Sequence, residues 1–156
     1  MPQPSTRKRT IGGARLETDE ATSRRMAKIR HADTNPERIF RTLLVARGLR
    51  YRLKNRDLPG SPDVANRRHK WAVFVHGCFW HHHKGCRLAT VPRRNRSFWL
   101  TKFAANRKRD AEAIRWLRTM GFSVLLVWQC ELEKDQARIE RRLDCFFTHA
   151  LGKRPS

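Results

Sequence analysis

Residues 76–86 read HGCFWHHHKGC. Cys78, His83 and Cys86 form a Cys-x4-His-x2-Cys spacing, compact enough to wrap one metal ion. Zinc in structural sites takes four N or S ligands, so a fourth must come from elsewhere in the chain. Cys130 directly follows the apolar run FSVLLVW (122–128), and the motif follows the apolar run WAVFVH (71–76). If these runs are parallel neighbouring strands, both ends lie at one edge of a sheet and Cys130 reaches the loop. Cys145, in RLDCFFTHAL, has the neighbours of an amphipathic helix and reads as a small core residue.

One such ion leaves His76, His81 and His82 over. Asp63 opens the first strand of an expected hairpin and His76 ends the second, so both belong at one end of the sheet. A carboxylate and a backbone carbonyl there suit Mg²⁺, which leaves its other positions to water and phosphate. A histidine beside such an ion can take a proton from water attacking phosphorus, which His81 offers. The plainer readings stay open: Asp63 as a turn residue after Pro62, Glu37 as a helix cap, His82 as a solvated loop residue. For Phe79 and Trp80, core packing stands against an outward wedge between base pairs, and spacing alone favours the core.

The elements that must position these groups follow from pattern. TNPERIFRTLLVARGL (34–49) carries Thr34 and Glu37 as a capping box, Pro36 in the first turn and apolar residues at helical spacing. RYRLK (50–54) alternates and predicts a strand. DVA, the polar turn NRRHK and WAVFVH predict an antiparallel hairpin. A long helix is expected from Ser97 to Met120 with Trp99, Phe103, Ile114 and Leu117 inward, then the covered strand FSVLLVW, then a helix over about 133–149. A short helix is expected within 21–30, with Met26 and Ile29 on one side. The fold class is α/β, a mixed central sheet flanked by helices. Residues 1–20 read as a flexible basic arm, 21–150 as a single domain and 151–156 as a short tail.

Lys and Arg total 35 against 14 Asp and Glu, a formal charge of +21. Such an excess points to a polyanion, nucleic acid first and a membrane surface second. No run approaches the ~20 apolar residues of a spanning helix, and the N-terminus lacks a signal-peptide core, so an intracellular, cytoplasmic protein is expected. Charge, metal ligands and leftover histidines together read as phosphodiester hydrolysis.

SRRMAKI, DTNPE, LPGSPD, FVHGCFWHHHKGC, PRRNRSFWL, NRKRD and LLVWQCEL, spread from about Thr22 to Leu132, closely resemble the very short patch repair endonucleases of bacteria. The resemblance implies a restriction-endonuclease-like fold with a structural zinc. It implies a single-strand nick 5′ to the T of a T:G mismatch left by deamination of 5-methylcytosine. Mg²⁺ would sit at Asp63 with the backbone carbonyl of Val75. His81 would activate water with support from Asp110, and His76 and Glu37 would complete the site by hydrogen bonds. Zinc would take Cys78, His83, Cys86 and Cys130. Phe79 and Trp80 would be the wedge, with Met26 entering from the other groove and Trp99 as a further aromatic near the mismatch. Double-stranded DNA with a T:G mismatch is the implied partner, other mismatch-repair proteins are candidates, a bacterial nucleoid-associated location is expected, and an asymmetric lesion asks only for a monomer. HHHKGC is one residue longer before its cysteine than in some members. The competing readings are a non-catalytic zinc-stabilised DNA-binding module and a restriction-type nuclease of the same fold.

Overall fold

A computed structural model of the chain describes residues 7–11, 14–18, 20–29 and 32–152. Strands β1 (Arg7–Ile11) and β2 (Ala14–Thr18) pair antiparallel, so the expected arm contains a hairpin. The remainder of the arm and residues 153–156 of the expected tail lie outside the described residues. Helix α1 (Glu20–Ala27) follows.

Helix α2 (Asn35–Ala46) buries Phe40, Leu43 and Leu44 on one stripe. The expected capping box does not form. Thr34 makes no side-chain cap bond, and its hydroxyl instead donates to Glu37 Oε1 at 3.0 Å while Glu37 Oε2 accepts from the Asp33 N–H at 2.8 Å. Residues 50–54 form no strand; Arg52 alone makes a bridge, to Ala65. The turn-rich chain after it leaves too short a paired stretch for a fourth strand.

The sheet has the order β3–β4–β5. Strand β3 (Val64–Asn66) lies antiparallel to β4 (Trp71–His76), as the hairpin reading required. Strand β5 (Ser123–Trp128) runs parallel to β4, with His76 opposite Trp128. Both strand ends therefore meet at one edge, the condition that brings Cys130 to the motif.

Alternation along β4 divides the core. Trp71 and Val73 face α2 and the C-terminal helices, joining Phe40, Leu44, Val127, Ile139, Leu143 and Phe147. Trp71 is fully buried and meets Phe147 edge-on with centroids 5.0 Å apart; truncating such a residue to alanine costs about 3–5 kcal/mol. Ala72 and Phe74 face the other way, towards Ala113, Leu117 and Phe122. His76 continues the Phe74 side.

That second side is covered by α3 (Arg96–Thr119), one residue offset from expectation, with Phe103 and Leu117 buried and Ile114 packed at the margin. Gly60 has φ +70°, and a Cβ there would lie 2.5 Å from the Ala113 Cβ. The loop that delivers Asp63 is pressed onto α3 at a point where only glycine fits.

The final helix is two. Helix α4 (Gln129–Lys134) starts directly after β5, and α5 (Gln136–Ala150) restarts at Asp135, whose carboxylate accepts from the Arg138 N–H at 3.1 Å. Cys145 is exposed, against the core reading, because the buried stripe of α5 runs through Ile139, Leu143 and Phe147. Among the described residues no helix is long and apolar enough to cross a membrane.

Candidate active site and metal centre

The loop after β4 turns back on itself through backbone bonds from His81 N–H to the Gly77 carbonyl and from His83 N–H to the Cys78 carbonyl. It carries Cys78, His83 and Cys86 to Cys130 in the first turn of α4, and the four ligand atoms all lie within 4.8 Å of one another. His83 Nδ1 is 3.6 Å from Cys78 Sγ and 3.4 Å from Cys130 Sγ. Burial pushes the Cys78 thiol up to about 12 and raises that of Cys130, while the Leu88 backbone N–H lowers that of Cys86. A donor set of three sulfurs and one imidazole, gathered this tightly, can hold a metal ion.

On the other side of the loop, His81 Nδ1 lies 2.6 Å from Asp110 Oδ2 of α3. The His81 ring stacks on His76, with centroids 3.7 Å apart and planes 9° apart. His76 Nδ1 is 3.9 Å from the same carboxylate oxygen. Burial, then the neighbouring His81, push the His76 imidazole down to about 4, so it is neutral at pH 7 and adds no charge against its stacking partner. His76, His81 and Asp110 are close enough to share an ion. Imidazole lone pairs lie in the ring plane, however, and two nearly parallel stacked rings aim theirs side by side rather than at one point. The arrangement suits a hydrogen-bonded base better than a pair of ligands.

Asp63 sits just ahead of β3, and its Oδ2 accepts from the Val75 N–H at 2.6 Å. Burial, with a smaller push from the charge of Glu37, raises its carboxyl to about 6 although the Val75 bond and His81 oppose the rise. Asp63, Val75, His76, His81 and Asp110 thus converge at one end of the sheet, with Glu37 near enough for its charge to be felt there.

Phe79 and Trp80 are neither sealed in the core nor free of it. Both are half-buried. Phe79 meets Trp99 at 5.4 Å and Phe103 at 5.4 Å, and Trp80 lies 6.0 Å from Trp99. Lys102 Nζ stands 5.7–5.8 Å from the rings of Trp80, Phe98 and Trp99. Met26 is half-buried on α1.

A family model described as DNA mismatch endonuclease Vsr matches residues 16–87. The type II nicking enzyme V.XorIIP of Xanthomonas oryzae pv. oryzae is 43% identical over 118 residues, covering 76% of this chain and 85% of that protein. The DNA mismatch endonuclease Vsr of Escherichia coli is 42% identical over 129 residues, covering 79% of this chain and 82% of that one. The chain belongs to the Vsr family of DNA mismatch endonucleases.

Membership makes it an endodeoxyribonuclease, and the geometry shows supports that sequence reasoning missed. Trp128 stacks flat on His83 at 4.0 Å and 3°, and presents its edge to His76 at 5.4 Å. Its place just before Cys130 was the available signal. Asn106 Nδ2 donates to the Trp80 carbonyl at 2.8 Å, fixing the loop to α3 one turn ahead of Asp110. Glu131, buried beside Cys130, accepts from the Trp128 N–H at 3.0 Å and takes Arg142 on both oxygens at 2.5 and 2.6 Å. His82 is not a solvated loop residue: its ring lies on Phe103 and its Nδ1 is buried.

Proposed function

We propose that this protein is a Mg²⁺-dependent endonuclease that nicks one strand of duplex DNA 5′ to the T of a T:G mismatch, the lesion left when 5-methylcytosine deaminates. The observation that carries the reading is the 2.6 Å contact of His81 Nδ1 with Asp110 at the sheet end where the half-buried Asp63 lies. A carboxylate on Nδ1 holds the proton there and leaves Nε2 as an acceptor. Nε2 takes the proton of a water as that water attacks phosphorus. His76, neutral and stacked, keeps the base from rotating.

Asp63 and the Val75 carbonyl would hold Mg²⁺. The residues fit: a carboxyl raised to about 6 by desolvation and by the charge of Glu37 is a concentration of acid that a divalent cation would relieve. Bound Mg²⁺ supplies charge to stabilise the phosphorane-like transition state. Glu37, held by the Asp33 N–H and the Thr34 hydroxyl, would accept a hydrogen bond from water beside that ion.

Cys78, His83, Cys86 and Cys130 would hold zinc as a structural ion. A tetrahedron with sulfur at about 2.3 Å and nitrogen at about 2.05 Å has S···N edges of roughly 3.6 Å. The two measured edges, 3.6 and 3.4 Å, fit. The ion would fix the base and the aromatic loop relative to each other. Phe79 and Trp80, backed by Trp99 and met by Met26 from the opposite groove, would wedge the duplex open at the weakly stacked mismatch. The order helix, hairpin, helix, parallel strand supports a restriction-endonuclease-like fold, and one active site per lesion supports a monomer.

The test is a strand-resolved cleavage assay with Mg²⁺ on duplexes differing by one T:G pair, with wild type beside Asp63→Ala. A nick 5′ to the T, lost in the variant and absent from the matched duplex, is expected. Equal cutting of both duplexes would remove mismatch specificity and leave a general nuclease. Tight binding without cutting would leave a zinc-stabilised binding module.

A further inference from the structure

Three consecutive histidines point to three different places. His81 goes to Asp110, and His83 goes to Cys78 and Cys130. His82, between them, lies flat on Phe103, with centroids 5.0 Å and planes 5° apart. Phe103 is itself 1% exposed and lies 5.4 Å from Phe79 and 5.8 Å from Trp99. His82 is therefore the histidine of the motif that joins the aromatic cluster to the segment carrying base and metal ligand.

The backbone at His82 is special too. Its φ is +46°, left-handed for a residue with a Cβ, and its N–H is spent on the Phe79 carbonyl at 3.2 Å. That kink turns His81 and His83 away from each other. A residue other than glycine there carries a conformational cost that something must offset. Its ring also carries an unpaired buried nitrogen, Nδ1. The contact that can offset both is the parallel stack on Phe103.

We infer that His82 is a positioning residue that locks the catalytic histidine to the aromatic wedge through its stack on Phe103. The inference rests on the nicking function proposed above. Phe103 is anchored in the core face of α3, the helix that also supplies Asp110. When Phe79 and Trp80 leave their resting contacts to enter DNA, the His82–Phe103 stack stays and holds His81 against Asp110. Without it, the aromatics still enter the duplex but the base is no longer aligned with the phosphate.

The experiment compares wild type with His82→Ala, His82→Gly and His82→Phe. Glycine removes the backbone cost and the ring together, alanine removes the ring alone, and phenylalanine keeps a flat ring without nitrogens. Each is assayed for nicking of a T:G duplex, for fluorescence of a 2-aminopurine placed beside the mismatch, and for zinc content. Alanine and glycine are expected to lower kcat tenfold or more with KM within about twofold. Their 2-aminopurine signal and zinc content should match wild type, and phenylalanine should recover kcat to within about threefold. If alanine folds poorly, the glycine and phenylalanine pair makes the same comparison. Glycine nicking as fast as wild type would overturn the inference, since the kink would then be the whole role. Phenylalanine as slow as alanine would overturn it as well, because the nitrogen and not the stack would be used. A wild type that cuts matched and mismatched duplexes alike fails at the function itself, whereas a discriminating wild type beside indifferent variants sinks this inference alone.

Discussion

Asp63 is held where ionisation is expensive. Burial lifts its carboxyl from 3.8 to about 6, so between those values the folded chain binds more protons than the unfolded one. Stability therefore falls as pH rises through that window, by at most about 3 kcal/mol for such a shift. His76 has the opposite sign: its imidazole is pushed down from 6.5 to about 4, so stability falls as pH drops through that range. The two offset each other over much of pH 4–6, and only the Asp63 cost remains at pH 7. Replacing Asp63 by asparagine keeps an acceptor for the Val75 N–H and removes the charge. Without added Mg²⁺, Asp63→Asn should be more stable than wild type at pH 7.5 by up to about 2–3 kcal/mol, and the gain should vanish near pH 4. Urea unfolding at the two pH values measures it, and added Mg²⁺ should then stabilise wild type alone. A variant less stable at pH 7.5 would mean that the carboxylate is compensated within the chain and not kept for a cation.

At the scale of elements, α4 is short, and its buried Glu131 is held by the partly exposed Arg142, with Arg138 3.9 Å away. Glu131 binds Arg142 of α5 on both oxygens, and Arg142 Nη2 also donates to the Leu126 carbonyl of β5 at 3.0 Å. These bonds tie β5, α4 and α5 together one residue from Cys130. Arg142→Met should destabilise the protein by roughly 2–4 kcal/mol, since it leaves a buried carboxylate with only the exposed Arg138 at 3.9 Å, and should weaken metal retention about 10- to 100-fold. Adding Glu131→Gln should return part of the stability, because glutamine still accepts from the Trp128 N–H. Thermal unfolding and zinc competition with a chelator would read both effects; a double variant no better than the single would deny that the stranded charge is the cause. None of this pair was legible in the sequence, where Glu131 and Arg142 are two of many charges on amphipathic helices. What was legible had short-range causes. Apolar runs gave β4 and β5, helical spacing gave α2 and α3, and the Cys-x4-His-x2-Cys loop followed by Cys130 gave the four clustered ligands. Tertiary partners decided the rest. RYRLK lacks a neighbour long enough to make it a strand, Asp135 interrupts what reads as one helix, and the flat face of Phe103 captures His82 from solvent.

For the whole molecule, the charge of +21 and the local geometry act on different parts of binding. Exposed arginines and lysines meet phosphates whatever the sequence between them, releasing counterions with a slope of about −0.9 in log K per log salt for each phosphate neutralised. Entry of Phe79 and Trp80 into a mismatch, as proposed above, would instead be a contest of stacking energies within the duplex, where added salt has little hold. Affinity for matched and mismatched duplexes should therefore fall together as salt rises. A protein making about 6–10 phosphate contacts loses roughly 10³–10⁵ between 50 and 200 mM salt. The ratio of the two affinities should stay within about threefold across that range. Fluorescence anisotropy of labelled duplexes in the absence of Mg²⁺ measures both without cleavage. Parallel lines on a log–log plot would place discrimination in the aromatic loop, while lines that converge at high salt would mean that the basic surface itself reads the lesion, through phosphate positions that differ at the mismatch.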